Sequence, residues 1–257
     1  YDLAWMQSGF LHFATAIIGS ALFALVVGAI CLRTSGLYFI MITLAFTQMI
    51  YFLGISLEPF GGDDGINVDR SVFPLIDLTD PVALYYFILA SLIGAVILLR
   101  FWVNSRFGMV IRGAKSNEQR MRAIGFPVYR YRLVAFVLAG VICGWAGALF
   151  VNLQEFLTPV YMNWFISGEI MVMVIMGGMA TVFGPALGAF AFIGLEVGLE
   201  WFFDELQGWT GGVFEKRDWR LLFGPMLVLL VLFARGGIFG ALSKFVRRRK
   251  DGKIVHD

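Results

Sequence analysis

The sequence predicts an all-α, polytopic transmembrane helical bundle of about seven spans, and three observations predict it. The 257 residues are 59% hydrophobic and only 15% charged, whereas soluble domains carry about a quarter charged residues. The apolar residues fall in blocks near the roughly 20 that a helix needs to cross a bilayer. Lys and Arg gather between those blocks instead of within them.

Taken in order, the first span is predicted at Phe10–Leu32, closed by Arg33. The second is Gly36–Leu57, and the third is Val82–Val103, which follows Pro81 and carries Arg100 near its end. The fourth is Leu133–Val151. The fifth, Phe165–Thr181, is short and interrupted by Gly177-Gly178; it is counted as a broken crossing. Pro185–Phe203 and Leu221–Gly237 complete the set. GxxxG pairs at Gly140–Gly144, Gly184–Gly188 and Gly194–Gly198 predict a close packing face at one or more of them, because small residues let backbones approach in a solvent that supplies no hydrophobic force between helices. Cys31 and Cys143 lie far apart in apolar runs and read as small core residues, not as a disulfide or a metal pair. The chain opens at Tyr1 without Met and without a basic region leading to a cleavage site. It reads as a piece that has lost upstream helices.

Loop charge sets the sidedness. The 58–81 loop has six acids and one Arg, a net of −5. Residues 105–132 hold Arg106, Arg112, Lys115, Arg120, Arg122, Arg130 and Arg132 against Glu118, a net of +6 in a chain whose total is +2. The tail from Arg235 is +5. Lys and Arg accumulate on the cytoplasmic side, so 33–35, 105–132, 182–184 and the C-terminus are assigned inside, and 58–81, 152–164 and 204–220 outside. Seven basic residues at the bilayer centre would cost about 20 kcal/mol, so the 105–132 loop must lie in water.

That loop admits three readings: a plain topological spacer, a patch for anionic lipid or nucleic acid, and a docking element for a cytoplasmic partner. Met109–Ala123 has the spacing of a helix of about four turns, with polar Arg112, Lys115, Ser116, Gln119, Arg120 and Arg122 around a thinner set of Met109, Val110, Met121 and Ile124. Gly125 and Pro127 end it. A helix with such a side favours docking into a partner's groove. The sequence has no phosphate-binding G-x-x-x-x-G-K-[ST], no HExxH and no GxSxG. Uphill transport would therefore draw on an ion gradient or on a partner's ATP.

Four blocks resemble a known family. They are LRTSGLYFIMITLAFTQMIY (32–51), GGDDGI (61–66), RFGMVIRGAKSNEQRMRAIGFPVYRYRLVAFVLAGVICGWAGALF (106–150) and GEIMVMVIMGGMATVFGPALGA (168–189). Together they look like the larger permease subunit of branched-chain amino acid ABC importers, with the resemblance covering residues 10–240. It implies a single transmembrane permease domain over 1–257, with an extracytoplasmic loop at 58–81, a cytoplasmic coupling loop at 104–132 and a basic cytoplasmic tail at 240–257. It places the protein in the bacterial inner membrane, binding no cofactor or metal and contacting membrane lipid but no nucleic acid. It would assemble with a paralogous permease, two ATP-binding subunits that use the ATP, and an extracytoplasmic solute-binding protein. On this reading Arg112, Ser116, Glu118, Arg122, Ala123 and Gly125 belong to the ATPase-coupling loop. The chain departs from the general importer pattern where Glu118-Gln119-Arg120 replaces the EAA triplet, and where Ala180 stands in place of the usual Gly.

Other residues carry two readings each. Glu169 and Glu196 are acids near bilayer depth, where carboxylates are costly and functional by default, and are candidates for the substrate pathway. Glu169 also reads as a helix N-terminal acid. Glu196, Glu200 and Asp204 share one helical face, the last two snorkelling at its outer end. Gly177 and Gly178 free backbone groups that bind polar solutes in broken-helix transporters, or else they pack closely against the sister subunit. Gly62, Asp63, Asp64 and Gly65 form a turn, a binding-protein contact, or a calcium-like run with too few ligands. Members of the same family architecture serve urea and short amides. Rivals from other classes are a gradient-driven transporter, which needs paired ionisable residues in several spans and an inverted repeat, and a plain membrane anchor.

Overall fold

The computed structural model describes residues 9–58, 61–71, 80–178, 181–210 and 223–226. The chain divides into two units, one ending at Trp164 and one beginning at Phe165.

In the first unit, α1 (Gly9–Cys31) and α2 (Leu37–Ser56) are joined by a turn through Gly36, whose φ of 67° lies in the left-handed region. β1 (Ile66–Asn67) lies in the loop between α2 and α3. α3 (Pro81–Asn104) starts where Asp80 Oδ1 accepts the Val82 N–H at 3.1 Å and Pro81 fills the first turn, the usual helix-start chemistry. α4 (Arg106–Ser116) and α5 (Glu118–Ala123) form the basic loop, and α6 (Val128–Gln154) follows at once. β2 (Phe156–Leu157) pairs antiparallel with β1, Ile66 opposite Leu157, and a 3₁₀ turn, Pro159–Met162, closes the unit.

The frame of this unit is the α1–α6 pair. A Cβ on Gly140 would lie 2.5 Å from the Ala24 Cβ, and one on Gly144 would collide with Ser20 Oγ. The predicted Gly140–Gly144 packing face is therefore real. It meets a complementary small-residue row on α1 of Ala16, Ser20, Ala24 and Gly28, each one turn from the last. Tyr129 Oη donates to the Ala29 carbonyl at 2.9 Å at one end. At the other end Phe13 packs on Trp145 with ring centroids 4.6 Å apart. The two helices thus run antiparallel. Tyr129 and Asn152 are about 35 Å apart along α6 at 1.5 Å per residue, a full membrane thickness.

This frame puts the loops at opposite ends. The basic α4–α5 segment lies at the Tyr129 end, and the acidic loop, through β1 and Ser71, lies at the Asn152 end. The described parts of the +6 and −5 loops are thus held at opposite ends of one helix pair. α2 buries no residue. Its apolar sides, like the exposed Phe101 and Ile97 of α3, are faces for lipid or a neighbouring helix.

In the second unit, α7 (Trp164–Gly177) has 14 residues and α8 (Gly184–Thr210) has 27. At about 21 Å, α7 falls short of the ~30 Å hydrocarbon layer, so the predicted fifth crossing is not spanned by helix. Its helix stops at the first glycine of the Gly-Gly pair. Gly178 has φ 110°, which a continuing helix does not allow. Gly177 meets the Gly184 carbonyl, and Gly188 meets the Met173 carbonyl, so closely that neither has room for a Cβ. One turn back along α7 thus corresponds to one turn forward along α8, which makes the pair an antiparallel hairpin. The predicted Gly184–Gly188 face is real. Gly194 and Gly198 are unlike the other two pairs: a Cβ on either meets nothing within 4 Å.

Among the described residues, five helices are long and apolar enough to cross a membrane: α1, α2, α3, α6 and α8. The predicted seventh span, Leu221–Gly237, lies outside the described residues except for a helical piece at 223–226. The basic tail, 240–257, lies wholly outside them.

Candidate functional site

The basic segment is built as a knuckle, not as the single four-turn helix that its spacing predicts. Ser105 separates α3 from α4: its Oγ donates to the Trp102 carbonyl at 2.6 Å and accepts the Gly108 N–H at 3.4 Å. Gly108 presses against the end of α3, where a Cβ would collide with the Val103 carbonyl. Arg112 turns back toward the bundle, its Nη2 donating to the Val103 carbonyl at 2.7 Å. Val110 and Ala114 are buried, which fixes α4 against the bundle.

The break falls at Asn117, with φ −156° and ψ 102°. Its side-chain oxygen accepts the Arg120 N–H at 2.9 Å, so it caps α5 instead of continuing α4. Asn competes for backbone groups in this way and favours caps over helix interiors. Met121 of α5 folds back over Gly113, its Sδ 2.9 Å from where a Cβ would stand.

α5 ends as its sequence predicts. Gly125 has φ 97°, its N–H bonds the Arg122 carbonyl at 2.9 Å, and the Phe126 N–H bonds the Met121 carbonyl at 3.1 Å. This pair of bonds is the Schellman motif. A Cβ on Gly125 would meet nothing within 4 Å, so glycine is needed for its backbone angle and not for space. Pro127 caps the following helix, which begins at Val128, five residues before the predicted Leu133.

That early start brings Arg130 into the first turn of α6, where a cation opposes the helix dipole, and Arg132 into the second. Glu118 neutralises Arg132. Its carboxylate pairs with Arg132 Nη2 at 2.7 Å and with Arg122 Nη2 at 2.5 Å. Partial burial pushes the Glu118 carboxyl up, but the hydrogen bonds and charges of Arg132 and Arg122 outweigh it and hold the group below the usual carboxylate range. Glu118 and Arg122 are thus joined to each other and, through Arg132, to α6. Ser116 is exposed at the end of α4. Ala123, Ile124 and Gly125 stand exposed at the tip, with Ile124 at 65% exposure, an apolar point in a basic surround.

At the opposite end, Gly61–Gly65 fold into a turn. The Gly65 N–H bonds the Gly61 carbonyl at 3.1 Å, and the Gly62 N–H bonds the Leu57 carbonyl at 3.3 Å. Gly62 is buried with φ 49°. Gly65 has φ 75°, and a Cβ there would lie 2.6 Å from the Leu157 carbonyl oxygen. Asp63 and Asp64 are exposed at the turn's tip. The loop is fastened to α6 by the Ser71 N–H bonding Asn152 Oδ1 at 2.8 Å and by Arg70 pairing with Glu155 at 2.5 Å. Sequence reasoning passed over Asn152 and Ser71. A polar residue closing an otherwise apolar helix was the available signal.

In the second unit, Gly177 and Gly178 are buried at the α7–α8 tip, where Thr181 Oγ1 donates to the Gly178 carbonyl at 3.3 Å and accepts the Gly184 N–H at 2.9 Å. Glu169 is the sixth residue of α7, past the first turn. The helix begins at Trp164, so the N-terminal dipole reading of Glu169 does not hold, because that effect fades beyond the first turn. Glu169 and Glu196 are both half-buried, each about 12 Å along its helix from the glycine contact. Among the described residues no three His, Cys, Asp or Glu side chains come together as metal ligands do.

Residues 2–243 match the family described as the branched-chain amino acid transport system / permease component. The chain belongs to this family. It is a multi-pass membrane permease component and not an enzyme. The permease is 26% identical over 190 residues to the high-affinity branched-chain amino acid transport system permease protein LivM of Escherichia coli, covering 63% of this chain and 44% of that protein. It is also 26% identical over 154 residues to the probable branched-chain amino acid transport permease protein LivH of Methanocaldococcus jannaschii, covering 58% of this chain and 43% of the relative. A third relative is the autoinducer 2 import system permease protein LsrC of an Enterobacter strain, 26% identical over 243 residues, 90% of this chain and 67% of that protein. The permease thus spans under half the length of the LivM and LivH proteins it matches. No solved structure matches it significantly.

Proposed function

We propose that the chain is the transmembrane subunit of an ATP-driven importer for branched-chain amino acids in the bacterial inner membrane. It works with a paralogous permease, two separate ATP-binding subunits and an extracytoplasmic binding protein. The observation that carries this reading is the α4–Asn117–α5 knuckle, a rigid, capped projection with exposed Ile124 at its tip. An ATPase cleft closing on ATP would grip such a tip. Because Glu118 ties α5 to α6 and Arg112 ties α4 to α3, a push on the tip would reach both long helices. The exposed Asp63-Asp64 turn is the contact for the binding protein, and Glu169, Glu196 and the Gly177-Gly178 break lie on the substrate pathway.

The test replaces Ile124 with Glu, which places an acid at the tip without touching the bonds that build it. ATPase copurification with the variant falls by about tenfold or more, the loss expected for a central apolar anchor, while membrane insertion is unchanged. Normal ATPase recovery and normal uptake by this variant would overturn the coupling assignment. The relative named for autoinducer 2 import covers most of the chain, which favours a second reading of the substrate alone. Competition of labelled leucine uptake by autoinducer 2 separates the two.

A further inference from the structure

At the outer end of the first unit, between α1, α6 and the β1–β2 platform, lies a cavity of about 620 Å³, within the ~300–1,000 Å³ range of small-molecule sites. Its lining is mixed. Ile66, Leu157 and Phe150 are apolar, while His12, Asp69, Ser71 and Asn152 supply polar groups. We propose that this cavity is an extracytoplasmic entry subsite for a zwitterionic amino acid with an aliphatic side chain. The assignment rests on the importer reading given above and deepens it.

The chemistry of the walls selects the ligand. Asn152 spends its amide on structure, its Oδ1 on the Ser71 N–H and its Nδ2 on the Ala148 carbonyl. These bonds hold Ser71, which is buried, beside His12, with Ser71 Oγ 2.9 Å from Nδ1. Ser71 engages Nδ1, so Nε2 is the ring nitrogen available to donate to a carboxylate. Asp69, two residues before Ser71, offers acceptors for an ammonium group. Opposite partners for the two ends of a zwitterion therefore share one cavity with an aliphatic wall. A neutral polyhydroxylated solute would leave the apolar lining without an apolar partner. Gly147 borders the cavity, and a Cβ there meets nothing within 4 Å. It is open space on a packed helix, so a probe can be placed without disturbing the α1–α6 contact.

The experiment uses the assembled importer in membrane vesicles carrying Cys143→Ser, which removes the exposed native thiol, together with Gly147→Cys. A second version carries Val68→Cys on the loop wall. Labelling by a membrane-impermeant thiol reagent is measured with and without leucine, and leucine uptake by wild-type vesicles is measured in parallel. Leucine slows labelling at both positions and glycine protects less. His12→Ala or Asp69→Asn raises the leucine concentration for half-protection about tenfold, as expected for a lost hydrogen bond to a charged group. Labelling indifferent to leucine at both positions, in a system whose wild type imports leucine, overturns the subsite and leaves the importer reading standing. Protection by autoinducer 2 but not by leucine overturns the ligand class. If the wild type does not import leucine, the substrate reading fails and this assignment fails with it.

Discussion

Glu118 shows how one acid among seven bases decides local structure. It is the first residue of α5, where a carboxylate suits the helix dipole, and it holds Arg122 and Arg132 at 2.5 and 2.7 Å. The sequence placed it in the coupling loop, but its partners there are its own arginines, which net charge alone does not reveal. In each pair the arginine is more than a third exposed and Glu118 is 31% exposed, so each contributes about 1 kcal/mol or less. The pH dependence has a definite sign. Arg132 and Arg122, prevailing over burial, hold the folded carboxyl below the usual range, so the tie is complete above the ordinary glutamate range and is lost as pH falls through the lowered folded value. Amide protection over 117–126 in the purified permease, taken relative to the intrinsic exchange rate at each pH, is therefore higher at neutral pH and falls in acid. Glu118→Gln shows the lower protection at neutral pH already and loses most of its pH dependence. A wild-type profile flat across the carboxylate range would refute the role of the tie.

Among the elements, glycine pairs of identical spacing divide into packed and unpacked. Gly140–Gly144 and Gly184–Gly188 touch a neighbouring backbone or small side chain, and Gly194–Gly198 does not. Spacing alone cannot separate them, because a helix face is a packing face only if a partner offers a matching groove. For Gly140–Gly144 the match was readable in the small-residue row of α1, since Ala16, Ser20, Ala24 and Gly28 recur every four residues. For Gly184–Gly188 the partner is the broken end of α7, whose course follows from the Gly178 backbone and not from any side-chain pattern. Gly144→Leu should thus cost about 2 kcal/mol or more by overpacking, lowering the thermal midpoint of the detergent-solubilised protein. Gly198→Leu should change stability by less than about 0.5 kcal/mol. Equal losses from the two would mean that the α1–α6 contact is not the frame of the unit.

For the whole molecule, the legible part of the sequence was what the bilayer imposes. Four of the long helices lie within a few residues of the first four predicted spans, because apolar length and flanking Pro, Asp and Arg residues fix where a helix enters and leaves lipid. Less legible was everything decided by a single backbone choice: the Asn117 break that makes a knuckle of one predicted helix, the halt of α7 at Gly177, and the polar anchor from Asn152 to Ser71. The sidedness joins both kinds of information. Charge assigns 105–132 inside and 58–81 outside, and the antiparallel α1–α6 pair independently puts them about 35 Å apart, at opposite ends. Single cysteines at Asp64 and Gln119, in a background with Cys31 and Cys143 replaced by Ser, test both at once. An impermeant maleimide applied to intact cells labels Asp64→Cys and leaves Gln119→Cys unlabelled until the membrane is permeabilised. Labelling of both from outside would place the basic knuckle out of reach of any cytoplasmic ATPase. The reverse pattern would invert the bundle and take the importer reading with it, because the acidic turn and its cavity would then face the cytoplasm.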